Sequence, residues 1–552
     1  MLMYAATSQA NTTDSKVNDQ LMQQEALRQK QLQQQQQSEP NVRLNPAVEV
    51  PLHFPEQESP CFPIQQIELT GADAGLFAWA LQETLAADPT IRGHCLGTEG
   101  INVLMRMVQN RIVQRGFVTT TVLVAPQDLK SGTLQLQVLA GRIHQIRFAE
   151  GTDPRAHLLT ALPMGQGDVL NLRDIEQALE NFKRVPTADA DIQIVPAEQP
   201  GESDLLIQWK QAFPFRLSFS ADDSGSRATG KYQGSMTLSW DHAFTLNDLF
   251  YVTTGRELGG TQTQPSGNRS YTVHYSLPLG YWQLGITTNQ YRYHQQVLGT
   301  HQQYQYAGLS RGTDLKLSRV IARDATGKTT LFLRGYQKSS RNFVDDTEVQ
   351  VQYRRTAGWE LGLQHREFIG SATLDGSVSY RRSTGAFSSR PAPEEAFGEG
   401  SSRPAVVQAS LSLEQPFKLG DQAFRLGSEL RGQWNRTLLA PQDRFSIGGR
   451  YTVRGFDGEY SLTGDRGILW RNELGWQTGA GLPELYLALD LGRVDGPSSA
   501  NGLGHTLIGS VVGIRGAWRG LQYEWFVGKP VRKPAGFITR RHVTGFYLSW
   551  SL

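Results

Sequence analysis

The chain has 552 residues, too many for one ordinary domain, so several folded units are expected. Its 54 Lys and Arg against 52 Asp and Glu leave no basic excess that would draw it to nucleic acid. Mean hydropathy is −0.40 and no run of about 18 apolar residues occurs, which excludes a transmembrane helix but not a membrane barrel, whose strands alternate lipid-facing and lumen-facing side chains.

Residues 1–40 are polar and rich in Gln. Met1–Ala10 has neither a basic n-region nor a full apolar stretch, so if the protein is exported the sequence is expected to be the mature form. Asp14 or Ser15 could cap a helix through Val17, Leu21, Leu27 and Leu32, extended by Gln33–Gln37. The apolar stripe is too thin for a core helix. Two readings follow: plain disorder, or a helix lodged in a water-filled channel, where a polar surface all round is an advantage. Residues 41–60 are punctuated by Pro and read as an extended linker.

Residues 61–142 read as an α+β unit. Strand FPIQQIELTG opens it, a helix follows near Phe77–Ala87, and Ile101, Leu104, Met105, Val108 and Ile112 recur at helical spacing up to Gly116. Strands VTTTVLVAP and LQLQVLAGRI close it. Cys61 and Cys95 are the chain's two cysteines; an oxidising compartment would join them in one disulfide, and the alternative is two buried free thiols. Residues 143–212 repeat the plan, with strand HQIRFAE, short helix RAHLLTAL, longer helix LRDIEQALENFKR and strands DADIQIVPA and SDLLIQWK.

From residue 213 onward, apolar and polar residues alternate with period two between turn clusters. Phe546, Leu548, Trp550 and Leu552 share one face of the last segment. Leu485, Leu487, Leu489 and Leu491 point outward, which turns Tyr486, Ala488, Asp490 and Gly492 to the lumen. From Arg466, outward Ile468, Trp470, Leu474 and Trp476 alternate with inward Arg471 and Glu473, with Asn472 an outward misfit. In 347–368 the phase survives Ala357-Gly358, so the segment reads as one strand with Arg355 misplaced. The total is then about 16, an even number that puts both barrel ends on the side of the preceding units. A soluble β-sandwich or propeller is disfavoured by so many Leu, Trp and Phe on one face. Pro441–Asp465 falls between strands eleven and twelve, and a loop of that length without strands of its own is usually functional.

Inside it lies Val453-Arg454-Gly455-Phe456. This VRGF tetrapeptide, the cysteine-bearing PCFPIQQIELTG and RGFVTTTVLVAPQDLKSGTLQLQVLAGRI together resemble the outer-membrane translocators of two-partner secretion (TpsB family), nearest to those of haemolysins and contact-dependent growth-inhibition toxins. The wider superfamily includes the barrel-assembly insertases. The resemblance spans nearly the whole chain. It implies an N-terminal plug helix over 1–40, a linker over 41–60, polypeptide-transport-associated (POTRA) domains at 61–142 and 143–212, and a transmembrane β-barrel over 213–552 with loop 441–465 folded inward. It further implies that Arg454 pairs with Asp490, which the alternation independently places inside, and a planar guanidinium grips a carboxylate in a way Lys cannot copy. Gly455 would permit a tight turn and Phe456 would seat in an apolar niche. The POTRA units would capture an extended client on a sheet edge, the candidate strand being Val118, Thr119, Thr120, Thr121, Val122, Leu123, Val124 and Ala125.

The partner so implied is a secreted exoprotein with an N-terminal secretion domain, handled by a monomer amid outer-membrane lipid and lipopolysaccharide. An insertase is the rival reading, although insertases usually carry more than two periplasmic repeats; an enzyme or nutrient porin comes third. No phosphate loop or HExxH motif is present and no Ser, His and acid constellation can be assembled, so neither a cofactor nor catalysis is expected. The scattered histidines, His365 and His542 among them, suggest no metal site, and Asp222-Asp223 and Asp345-Asp346 read as solvated loop charge.

Overall fold

The computed structural model describes residues 23–25, 27–36, 40–45, 53–259, 266–298, 302–479, 481–500 and 502–552. The candidate cap at Asp14 or Ser15, with Val17 and Leu21, lies outside these residues, as does Met1–Ala10.

Sixteen antiparallel strands close into a barrel that begins at Phe215–Asp222 and ends at Val543–Ser551, which pair with each other. The predicted faces hold. Leu485, Leu487 and Leu489 are exposed outward on the thirteenth strand, Glu484–Asp495, while Tyr486, Ala488, Asp490 and Gly492 are buried within. The outward misfit Asn472 is met by its neighbours: Ser428 Oγ donates to its Oδ1 at 2.8 Å and its Nδ2 donates to the Leu489 carbonyl at 3.4 Å.

The segment 347–368 occupies one strand position but is not one continuous strand. Thr347–Glu348 and Arg354–Ile369 both pair with the seventh strand, Gly327–Val344, and a 3-10 turn at Gln350–Gln352 lifts the chain out between them. The even count survives because the chain does not reverse direction there. Between the eleventh strand, Gln422–Asn435, and the twelfth, Arg466–Gln477, the long loop carries a ribbon of its own, Phe445–Ile447 paired with Leu462–Gly464. A loop without strands was the expectation; the ribbon forms because Ile447 and Leu462 have a core to enter.

Two α+β units precede the barrel. In the first, β1 (Phe62–Pro63) pairs with β3 (Cys95–Leu96), and β2 (Gln66–Thr70), β5 (Thr133–Leu139) and β4 (Thr121–Leu123) form a sheet in the order β2-β5-β4. Helices α2 (Ala74–Ala87) and α3 (Thr98–Gln114) pack on it. Ile101, Leu104, Val108 and Ile112 bury one stripe of α3, and the Glu58 carboxylate accepts from the Gly97, Glu99 and Gly100 amides that the first turn leaves unpaired. In the second unit, β6 (Arg142–Phe148), β8 (Glu202–Gln211) and β7 (Ala188–Pro196) form a sheet in the order β6-β8-β7 under α4 (Leu172–Lys183).

Three local expectations give way to tertiary contacts. The strand expected over VTTTVLVAP shrinks to Thr121–Leu123, because Gln109 of α3 donates to the Thr120 carbonyl and accepts from the Val122 amide, both at 2.6 Å. LQLQVLAGRI breaks after Leu139, where the Gly141 amide turns to the Thr120 hydroxyl at 3.1 Å, so Arg142 onward belongs to β6. RAHLLTAL is a chain of turns and not a helix. Its Arg155 and His157 carbonyls accept from His242 and Asn247 of the barrel's first periplasmic turn, and its Ala161 carbonyl from Asn181, so they are lost to an i+4 ladder.

Candidate functional site

The loop folds into the lumen and anchors by both charge and packing. Ile447, Val453, Phe456 and Leu462 join Leu469, Val494, Leu507 and Phe537 in a buried cluster, with Phe456 edge-on to Phe537 at 5.8 Å. Between these apolar contacts Arg454 meets Asp490. Its backbone N, Nε and Nη2 donate to the two carboxylate oxygens at 2.9, 2.8 and 2.9 Å, and its Nη1 donates to Glu473 at 2.6 Å. Asp490 is 0% exposed. A charge so placed is tolerable only with its full set of partners, and removing one partner of such a pair costs about 3–5 kcal/mol. Glu473 also accepts from Arg425 and Arg515, which share Glu484, so Arg454 is one node of a charge network on strands eleven to fourteen.

The loop backbone lies almost against the wall. Gly455 has φ +94°, and a Cβ there would stand 2.6 Å from the Lys529 carbonyl. On the wall, a Cβ at Gly509 would stand 1.8 Å from the Arg454 carbonyl oxygen, and one at Gly528 would meet Gly455 at 2.9 Å. Gly492 is likewise filled from the loop side by Val453 and Ile447. Alternation places Gly492 on the lumen side but says nothing of Gly509 and Gly528, although glycines on the inward phase of neighbouring strands are the signal that a second backbone approaches.

The polar N-terminal segment is a helix, α1, over 23–25 and 27–36, and it runs through the lumen. At one end Gln23 donates to the Pro441 and Arg444 carbonyls at 3.1 and 3.2 Å, and Gln24 to the Gly458 carbonyl at 2.7 Å, so the helix touches the loop directly. At the other end Gln35 and Gln36 accept from Tyr547 and Ser239 at 2.6 and 3.1 Å. In between, Arg28 pairs with Asp222 at 3.3 Å, while Gln29 donates to Ser270 and accepts from Thr272 at 3.2 and 2.8 Å. Among the described residues of the helix, Leu32 is the buried apolar side chain and Leu27 is half-buried.

Asp222-Asp223 is therefore not solvated loop charge. Asp222 is 2% exposed beside Arg28, and Asp223 binds Arg450 of the loop at 2.9 Å. One acidic pair at the top of the first strand serves both occupants of the lumen. Asp345-Asp346 sits in a turn with positive φ at both residues, and the Asp345 carboxylate accepts from the Gln305 amide. Among the described residues there is no cluster of metal-ligating side chains.

Of the other singled-out residues, Cys61 and Cys95 are joined in a disulfide that ties β1 to β3. Of Val118–Ala125, only Thr121, Val122 and Leu123 are in a strand; it is an edge strand, with Val122 buried and Leu123 exposed. Val118 and Thr119 are in a turn, Thr120 is buried beyond the strand's start, and Val124 and Ala125 follow its end. The lumen elements and this edge lie in separate parts of the molecule.

Comparison with known proteins matches residues 201–516 to the haemolysin secretion/activation family ShlB/FhaC/HecB, residues 62–141 to a ShlB-type POTRA domain and residues 142–196 to a POTRA domain. An outer membrane transporter CdiB-2 of Burkholderia pseudomallei (strain 1026b) is 35% identical over 89% of this chain and 86% of its own length. The outer membrane transporter CdiB of Dickeya dadantii (strain 3937) is 30% identical over 94% and 91%. The solved structure of CdiB from Acinetobacter baumannii is similar with a TM-score of 0.85 at 33% identity, covering 98% of this chain and 99% of that one.

Proposed function

The chain belongs to the haemolysin secretion/activation family ShlB/FhaC/HecB, and from that membership we infer that it is an outer-membrane pore passing a large partner exoprotein from periplasm to cell surface in two-partner secretion. Its POTRA domains lie in the periplasm and its barrel in the outer membrane. The observation that carries the reading is a lumen closed by two segments of the chain itself, α1 and loop 441–465, of which the helix is held almost wholly by polar contacts. Such bonds exchange with water at a net cost of about 1 kcal/mol each, so the helix can leave, whereas an apolar plug of that size would stay.

The cycle begins when the exoprotein's N-terminal secretion domain adds as an extended strand to a POTRA edge, for which Thr121–Leu123 within the candidate Val118–Ala125 is favoured by its edge position. Helix α1 withdraws, the client crosses the lumen, and its folding outside supplies direction. Arg454 and Asp490 fix the loop tip, Val453 and Phe456 seat it, and Gly455 lets it turn. The protein works as a monomer among lipid and lipopolysaccharide, makes and breaks no covalent bond, and its client is a toxin, haemolysin or adhesin.

Coexpression with a candidate exoprotein that carries an N-terminal secretion domain tests the whole reading. The full chain should place that exoprotein on the cell surface, and a chain lacking residues 61–142 should still give a heat-modifiable barrel while exporting nothing. Export by the deleted chain would remove the first POTRA domain as receptor. A defect confined to the assembly of other barrels would overturn the export reading in favour of an insertase.

A further inference from the structure

The linker enters the lumen through a groove whose chemistry is that of a peptide-binding site. Residues 41–45 are extended and alternate, with Val42 and Leu44 half-buried against the second POTRA core and Asn41, Arg43 and Asn45 outward. No backbone strand pairs with them. Charged side chains do so instead. The Val42 amide donates to Glu180 at 3.3 Å and the Leu44 amide to Glu176 at 2.7 Å. The Val42 carbonyl accepts from Arg323 and the Leu44 carbonyl from Arg173, both at 2.9 Å. Every second residue thus has its N–H and C=O satisfied, as on a sheet edge, and no side chain of the linker is read by these four bonds.

Three of the four clamp residues come from α4 at spacings that set them on one face, and Arg323 comes from the end of the sixth barrel strand, Gln303–Arg323. Their side chains are at most 9% exposed, and they also pair among themselves, Arg323 with Glu176 and Glu180 and Arg173 with Glu176. Lys328 also pairs with Glu180 at 2.8 Å and Arg323 also donates to Gln177 at 3.2 Å, but the four bonds to Val42 and Leu44 would be left open in a buried site if the linker withdrew, so the groove is poorly suited to standing empty. It also stands in the route. Glu180 and its neighbours Gln177 and Asn181 line the lumen cavity together with Pro40 of the linker. Pro40 follows closely on Gln36, the last described residue of α1, so the helix cannot travel far without drawing residues 41–45 out of the clamp.

We propose that the groove between α4 and Arg323 is a binding site for extended polypeptide, held at rest by the chain's own residues 41–45 and taken in transit by client segments with apolar residues at alternate positions. This rests on the export reading above. The linker is then an internal competitor: its departure with α1 opens a main-chain clamp at the mouth of the pore when a client needs one.

The test uses the full chain in detergent and a fluorescent peptide of the sequence Pro40–Asn45. Wild type should bind it weakly, because the tethered linker competes at an effective concentration of order mM. The variant Val42→Asp/Leu44→Asp, which expels the linker from the apolar niche, should bind it at least about tenfold more tightly. The same peptide N-methylated at the Val and Leu positions should lose binding to that variant, whereas one with Ile in both places should keep it. Equal binding of the methylated peptide, or no binding to the expelled-linker variant, overturns the clamp. Peptides from the exoprotein's secretion domain should displace the probe. If they do not while cells export the exoprotein normally, the clamp's role in transit is refuted and the export reading stands; if cells export nothing, it is the export reading that fails.

Discussion

Arg454→Ala is the perturbation that separates an anchored loop from a merely packed one. It deletes two of the three hydrogen bonds that Arg454 makes to Asp490 and the single bond to Glu473, and leaves the backbone amide bond in place. Asp490, 0% exposed in the intact chain, is then left with Arg471 Nε, 3.8 Å away, as its nearest remaining cation. That residual attraction sets the loss at the lower end of the range for a broken buried pair, about 3 kcal/mol, or about 100-fold in the loop's docking equilibrium. Lysine should recover only part of it, because one ammonium cannot span both oxygens. Hydrogen exchange across residues 449–458 of the full chain should speed up by about that factor, with heat-modifiability unchanged and export lost. Combined with Asp490→Asn, the two penalties should fall well short of additive. Unchanged protection and normal export in Arg454→Ala would refute the reasoning.

Three further outcomes are expected. Gly509→Ala should undock the loop without touching a charge, since its Cβ would stand 1.8 Å from the Arg454 carbonyl oxygen; protease sensitivity of 441–465 in an assembled barrel measures it, and wild-type resistance would contradict the close approach. Deleting residues 1–40 removes the helix that Gln24, Arg28 and Gln35 fix in the lumen, so single-channel conductance in planar bilayers should rise, and an unaltered current would remove the plug. In the first periplasmic turn, burial holds the His242 imidazole below its ordinary value of about 6.5, with Nδ1 accepting from the Asn247 amide and Nε2 bonded to the Arg155 carbonyl. A depressed histidine binds more protons unfolded than folded, so its contribution is full above about pH 6.5 and is lost as pH falls below that through the folded value. Protection factors at 153–163, which divide out the intrinsic pH dependence of amide exchange, should therefore fall between pH 7.5 and 5.5 and stay flat in His242→Gln; a pH-flat wild type would count against the contact between this turn and residues 153–163.

Much of the architecture was legible because lipid and water impose opposite demands on alternate residues. Leu485, Leu487 and Leu489 could not face a wet lumen, nor Asp490 the hydrocarbon, so period two assigned their sides before any coordinates did. The same reasoning carried the strand count through 347–368, although it missed the 3-10 turn that lifts Gln350–Gln352 out of the ladder, because a local break that keeps direction leaves the phase intact. The short helix RAHLLTAL was misread for the opposite reason: its pattern is helical, yet its carbonyls are worth more to His242, Asn247 and Asn181.

Pairwise meetings across the lumen left no trace in local pattern. Asp222-Asp223 has the composition of a loop, and only closure of the barrel brings Arg28 and Arg450 to it from more than 190 positions away on either side. Residues 41–45 read simply as linker until α4 and Arg323 supplied partners for their amides and carbonyls.

By itself the sequence determined the class of object: a polar-lined cylinder preceded by two α+β units, since alternation and helical spacing are properties of neighbouring residues. Only the tertiary structure decided what fills the cylinder and what holds it there. A hydrogen bond or ion pair between residues hundreds of positions apart depends on register around a closed sheet, and register is a global property that no short window of sequence contains.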